Sequence, residues 1–274
     1  MFSFFGGFQN KISIDFFDEL DEIIKKQIVL EYVKVEDKIY PSYLMEKPYR
    51  DILIAISKGD GKILNIFKRA RVSEGLGKDI LIELKKLNII DIIQSREQPL
   101  KIHPKHKLKK SLRSYKIQPK AYFKTPFLRF WFGFVEPYKK DLLDGIYTKF
   151  WENYHQHKER CVSLIFEQLS NDLVELHFKD SDPLIQKGNF WNRYSEFDVF
   201  CVTEKRKIIL GECKFKGRKV CKNELTKLKE KAYRSGIKVD TYTLFSLNGF
   251  SNELLQNREK NLILFEAKDF IKLI

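Results

Sequence analysis

The chain has 274 residues, 43% of them hydrophobic and 14% aromatic, with a formal net charge of +14. That length supports two domains with cores of their own, and that apolar content excludes a disordered chain. No apolar run is long enough to span a bilayer, the opening MFSFFGGF lacks the basic leader of a signal peptide, and the four cysteines show no CxxC spacing, so a reducing, cytoplasmic setting without membrane association or structural zinc is expected.

Residues 1–45 form an acidic extension with helical patterning, and the first 48 residues hold six Lys against nine acids. Residues 49–149 reverse the balance, with 23 Lys and Arg against ten acids. From Gln98 to Val135 there is no acidic residue, while ten Lys and Arg fall inside that stretch. Such a block attracts phosphate by steering and counterion release. Docking of an acidic partner is the competing reading.

Residues 46–118 read as a winged helix-turn-helix. Tyr49–Ile56 has helical spacing and stops at Lys58-Gly59-Asp60-Gly61. A short helix is expected over Lys62–Ala70, a glycine-containing turn over Ser73–Gly77, and a third helix over Lys78–Leu87 that buries Ile80, Leu81, Leu84 and Leu87. Ile89–Ile93 and Pro99–Ile102 follow as two short strands around a polar tip. Three helices and a hairpin make the winged motif. Its third helix would present Lys78, Lys85 and Lys86 to DNA, and its wing Arg96 and Lys101. A winged helix that binds protein is the alternative. Residues 119–150 connect onward through the aromatic run Tyr122–Tyr138, read as a helix buried between domains, with a base-stacking platform as the second reading.

Residues 151–274 carry the chemistry. Cys161–Asn171 reads as a helix and Leu173–Phe178 as a strand. Ser195–Lys216 then spells SEFDVFCVTEKRKIILGECKFK. Strand side chains alternate faces, so Glu196 shares a face with Asp198, and Glu212 with Lys214. A tight connection at Thr203–Arg206 makes the two strands antiparallel neighbours, and Asp198 and Glu212 then converge. Paired carboxylates suit Mg²⁺ or Mn²⁺, and Lys214 beside them suits an attacking water or a developing anion. Ordinary Glu and Lys on a solvated strand face are the bland reading. Lys222–Arg234 reads as a helix and Val239–Leu247 as a strand.

The order of these features resembles the C-terminal half of a prokaryotic, largely archaeal, AAA+ ATPase family. Its members join an ATPase module to a winged helix and to a restriction-endonuclease-like domain, domain of unknown function 234. The resemblance covers roughly residues 46–250. It rests on the Tyr49–Gly59 helix, Phe127-Leu128-Arg129-Phe130-Trp131-Phe132, Phe166-Glu167, Phe197-Asp198-Val199 and Gly211-Glu212-Cys213-Lys214. It implies an α+β chain: a winged helix followed by a PD-(D/E)xK nuclease-like mixed sheet flanked by helices. Glu167 would complete the metal site of Asp198 and Glu212, and Lys227 and Lys231 would touch the DNA backbone. No GxxxxGK[ST] phosphate loop occurs in the sequence, so the family's motor is missing. Two accounts stay open: a free-standing two-domain protein, or a fragment whose ATPase is encoded separately or has been lost, with a separate ATPase or a second copy of the chain as the expected protein partner. The expected activity is metal-dependent hydrolysis of DNA phosphodiesters, with a catalytically idle DNA-binding protein as the alternative.

Overall fold

The computed structural model describes residues 1–8, 18–97, 103, 105, 107, 110, 117–256 and 259–273. The chain is a mixed α/β protein with a mixed sheet flanked by helices. It forms two compact units, one of residues 1–94 and 118–161, the other of residues 95–117 and 162–274.

In the first unit, helices Tyr49–Lys58, Ile63–Ala70 and Glu74–Lys86 follow the apolar spacing of the sequence. Each turns one stripe inward: Ile52, Leu53 and Ile56 on the first, Ile66 and Phe67 on the second, Ile80, Leu81 and Leu84 on the third. Leu87, expected inside, is exposed. The third helix starts before the expected glycine turn ends. Ser73 caps it by accepting the Leu76 N–H, so Ser73–Gly77 is the cap and first turn. Gly77 is required there because a Cβ would lie 2.4 Å from the Phe67 ring. The chain reverses instead at Arg71, whose φ of 56° closes the preceding helix.

Strand β1 (Ile90–Ile93) pairs antiparallel with β2 (Lys120–Phe123), Ile90 opposite Phe123. Pro99–Ile102, the partner expected from sequence, lies outside the described residues, as does Lys101. The aromatic run is a helix at Pro126–Phe130 continued by a π turn, Trp131–Val135. Phe130, Trp131 and Phe132 have no exposed surface, which removes them as a base-stacking platform. They pack with residues of the same unit: Phe4 sits edge-on to Phe130 at 5.3 Å, and Tyr32 stacks on Trp131 at 5.0 Å. Glu136, fully buried, accepts from Tyr32 Oη at 2.7 Å and from Arg50 Nε at 2.6 Å.

The second unit is built on a five-stranded sheet of order β3-β6-β7-β8-β9. Its strands are β3 (Leu184–Gln186), β6 (Val199–Thr203), β7 (Ile208–Lys214), β8 (Thr241–Ser246) and β9 (Leu262–Glu266). A two-stranded ribbon, β4 (Phe190–Trp191) and β5 (Glu196–Phe197), stands beside it. β3, β6 and β7 are antiparallel, whereas β7, β8 and β9 are parallel. Helix Lys222–Arg234 supplies the crossover that parallel neighbours need. Its Leu225, Leu228 and Ala232 pack on one sheet face with Phe200, Leu210 and Leu244. Phe166, Leu173 and Val174 of helix Glu159–Phe178 cover the opposite face, over Val199, Ile209 and Phe245.

That second helix corrects one expectation. Leu173–Phe178 is its last turns and not a strand. Phe166, Leu173 and Val174 recur at helical spacing and are all buried, while Leu176 is exposed, so the period of 3.6 prevails over the short apolar run of the segment. The first core strand is β3.

Gly211, immediately before Glu212, sits between β6 and β8. A Cβ there would lie 2.3 Å from Thr243 Oγ1 and 2.9 Å from Val199 Cβ. Gly211→Ala is expected to cost about 1–3 kcal/mol by overpacking, read as a lower midpoint in urea unfolding.

Candidate functional site

The hairpin of β6 and β7 pairs Val199 with Gly211 and Phe200 with Leu210. Asp198, between β5 and β6, therefore comes level with the segment that carries Glu212 and Lys214. Its Oδ2 accepts the Cys213 N–H at 2.8 Å. Alternation along β7 puts Glu212 and Lys214 on the face of Leu210, toward helix Lys222–Arg234. Cys213 points the other way, into the cluster under helix Glu159–Phe178.

Glu212 is the centre of a charged network. Lys214 Nζ donates to its Oε1 and Lys231 Nζ to its Oε2, both at 2.7 Å. Its side chain is only 12% exposed, so these contacts are poorly screened. Lys214 also reaches Glu224 Oε2 at 3.4 Å, and Lys227 Nζ donates to Glu224 Oε1 at 3.1 Å. Lys231 donates further to the Glu196 carbonyl at 3.2 Å. Residues 224, 227 and 231 come from one helix face by their three- and four-residue spacing. Sequence reasoning offered Lys227 and Lys231 as DNA contacts; in the structure they join the carboxylates. Glu224 was missed, and its spacing to Lys227 and Lys231 was the signal that would have found it.

Asn171 was missed too, and nothing in the sequence marks it. It is 8% exposed, and its Nδ2 donates to the Asp198 carbonyl at 3.1 Å while its Oδ1 accepts the Gly188 N–H at 3.1 Å. It thereby ties helix Glu159–Phe178 to the backbone that positions Asp198. Glu167, one turn earlier, is half-buried on that helix. Its charge reaches Cys213, on the side away from Glu212 and Lys214. Among the described residues no group of three or more His, Cys, Asp and Glu side chains is gathered to hold a metal. The structure brings Asp198, Glu212 and Lys214 together at the hairpin and sets Glu167 on the helix that covers the opposite sheet face.

The electrostatics follow from burial. Desolvation, then the charge of Glu212, pushes the Asp198 carboxyl up to about 6, against the Cys213 N–H, Lys231 and Lys214. Burial opposes the charge on Lys214, but the hydrogen bond and charge of Glu212, with Glu224 and Asp198 behind, raise its pKa overall. Lys214 is therefore a lasting cation.

Asp198 binds its proton more tightly folded than unfolded. The stability this provides is present at low pH and is lost as pH rises through about 6. Asp198→Asn is expected to exceed wild type in stability by about 1–3 kcal/mol above that pH. The gap should close toward pH 4, as followed by thermal melts in EDTA.

Of the expected nucleic-acid contacts, Lys78, Lys85 and Lys86 belong to the first unit and Arg96, Lys227 and Lys231 to the second. Lys78, Lys85 and Lys86 are exposed on helix Glu74–Lys86. The same helix also exposes Leu76 and Ile82, and its Glu83 is held by the Tyr43 and Tyr49 hydroxyls. Arg96 does not stand out on a wing. It is half-buried in the second unit, where it donates to the Lys187 carbonyl at 2.9 Å and lies over the Phe200 ring. Its neighbours anchor the same segment: Ser95 Oγ donates to the Trp191 carbonyl at 2.6 Å, and Glu97 pairs with Arg193.

No helix among the described residues is long and apolar enough to cross a membrane. No curated protein and no solved structure matches the chain. Residues 131–234, which include Asp198, Glu212 and Lys214, are similar to the family DUF234, described as "Archaea bacterial proteins of unknown function".

Proposed function

We propose that the second unit is a PD-(D/E)xK nuclease-like domain that hydrolyses DNA phosphodiesters with Mg²⁺ or Mn²⁺, and that helices Tyr49–Lys58 to Glu74–Lys86 with β1 form a winged helix that recruits the DNA. The observation that carries this is Glu212, clasped by two lysines and level with the buried carboxyl of Asp198. The site lies at the carboxyl end of β7, where the sheet changes from antiparallel to parallel; such ends are where open α/β sheets bind ligands.

The donors fit a hard divalent cation. Asp198 and Glu212 are oxygen ligands, and their mutual repulsion is what a cation would relieve. Both would hold it, and when bound it would lower the pKa of a water and offset charge on the phosphate. The chain's own groups do the rest. Lys214, as a lasting cation, orients the water and screens the phosphoryl oxygens. Lys231 holds the second Glu212 oxygen, and Asn171 fixes the backbone of Asp198. The water oxygen bonds to phosphorus as one P–O ester bond breaks. The water's proton leaves to solvent, and the departing alkoxide takes one from solvent.

The alternative, a catalytically idle DNA-binding or regulatory protein, draws on the same network, because both Glu212 oxygens already accept from ammonium groups. In that case the exposed Leu76 and Ile82 favour a protein surface, such as a separate ATPase, as the docking partner. Supercoiled plasmid incubated with Mg²⁺ or Mn²⁺ decides between them. Nicking by wild type and its loss in Asp198→Ala supports the nuclease; equal nicking by both proteins marks a contaminant and overturns it.

A further inference from the structure

Beyond Glu212, the loop from β7 to helix Lys222–Arg234 borders an open cavity of about 180 Å³. Lys214, Lys216, Arg218, Lys219 and Lys227 line it, with Glu224 as the single carboxylate. Glu224 is occupied by Lys214 and Lys227. Lys216, Arg218 and Lys219 are exposed and pair with no carboxylate among the described residues. Three cations without a carboxylate partner around one concavity make a local positive field that attracts an anion.

The size of the cavity limits that anion. It is smaller than the about 300–1,000 Å³ of pockets that enclose drug-sized ligands, so it suits a phosphate-sized group and not a whole nucleotide. The charge limits it further. A terminal phosphate monoester carries between one and two negative charges near neutral pH, whereas an internal diester carries one. Lys214 both lines the cavity and holds Glu212 at 2.7 Å, so an anion seated there lies next to the carboxylate pair.

Resting on the nuclease reading, we propose that this cavity binds the terminal phosphate of a DNA strand and so directs the site to phosphorylated ends. Lys216, Arg218 and Lys219 are the recognising residues; none is placed in the hydrolytic machinery.

The test is fluorescence anisotropy of the full chain in EDTA with three short duplexes: 5′-phosphorylated, 3′-phosphorylated and hydroxyl-ended. One phosphorylated duplex should bind about tenfold tighter than the hydroxyl-ended one, the worth of one or two charge-assisted contacts. Arg218→Ala/Lys219→Ala should erase that preference and leave hydroxyl-ended binding unchanged, which also shows that the variant folds. Equal binding of all three duplexes by wild type overturns the proposal and leaves the nuclease reading standing. A double variant that weakens all three alike assigns the cavity to internal phosphates and overturns it as well. Failure to bind any duplex overturns both.

Discussion

Glu212→Gln is expected to lower plasmid cleavage about 10²–10³-fold, the usual loss when one preorganised charged group is removed from a site. The change is isosteric, so the backbone pairing of β7 with β6 and β8 stays in place. What goes is the charge that holds Lys214 and Lys231 at 2.7 Å and one of the two carboxylates proposed for the cation. Binding should move the other way. With one negative charge fewer beside the phosphate, DNA affinity is expected to hold or to rise slightly. A gel assay of cleavage beside anisotropy in EDTA separates the two effects. Cleavage that survives intact removes Glu212 from the chemistry, whereas parallel loss of cleavage and binding points to misfolding. Lys231→Met serves as the comparison: it releases one Glu212 oxygen, keeps both carboxylates, and should cost less.

Glu136→Ala is expected to destabilise the first unit by about 3–5 kcal/mol, as when one partner of a buried ion pair is removed. Glu136 has no exposed surface, and its carboxylate is the shared acceptor of Tyr32 Oη and Arg50 Nε, with Arg50 also donating to the Glu136 carbonyl at 3.1 Å. Removing it leaves the Tyr32 hydroxyl and the Arg50 Nε–H without their carboxylate acceptor. Burial and the Glu136 charge already hold the Tyr32 phenol well above its ordinary pKa, so Tyr32 remains a donor at any working pH. Tyr32→Phe should cost less, about 1.5–3 kcal/mol, the worth of one hydrogen bond to a charged group. Arg50→Met/Glu136→Leu should recover most of the loss, because the pair goes as a unit. Urea unfolding of the four proteins checks the order; a Glu136→Ala midpoint equal to wild type would show that the network does not stabilise the unit.

Where structure depends on near neighbours in the chain, the sequence was legible. Helix Tyr49–Lys58 shows its apolar stripe directly, and helix Lys222–Arg234 has the bounds its pattern predicts. The hairpin through Thr203–Arg206 follows from a short polar link between two β-branched runs, and it brings Asp198 level with Glu212. Where two local signals compete, reading failed. Leu173–Phe178 has enough apolar residues for a strand, yet the stripe begun at Phe166 continues through it. Ser73–Gly77 looks like a turn because it holds two glycines, but a serine cap and a close helix approach account for it.

The sequence by itself determined that Glu212 and Lys214 share a strand face and that the chain carries a basic surplus in its middle, because both depend on spacing and composition alone. Tertiary structure alone decided that β2, 30 residues after β1, completes the first ribbon and that Tyr32 and Phe4 enter the aromatic core. It alone turned Lys231 toward Glu212 and Glu224 toward Lys214, seated Arg96 on Phe200, and set Glu167 by Cys213. The reason is physical. Alternation and helical period say which way a side chain leaves its own element, while the partner it meets depends on which element the burial of distant apolar faces brings opposite.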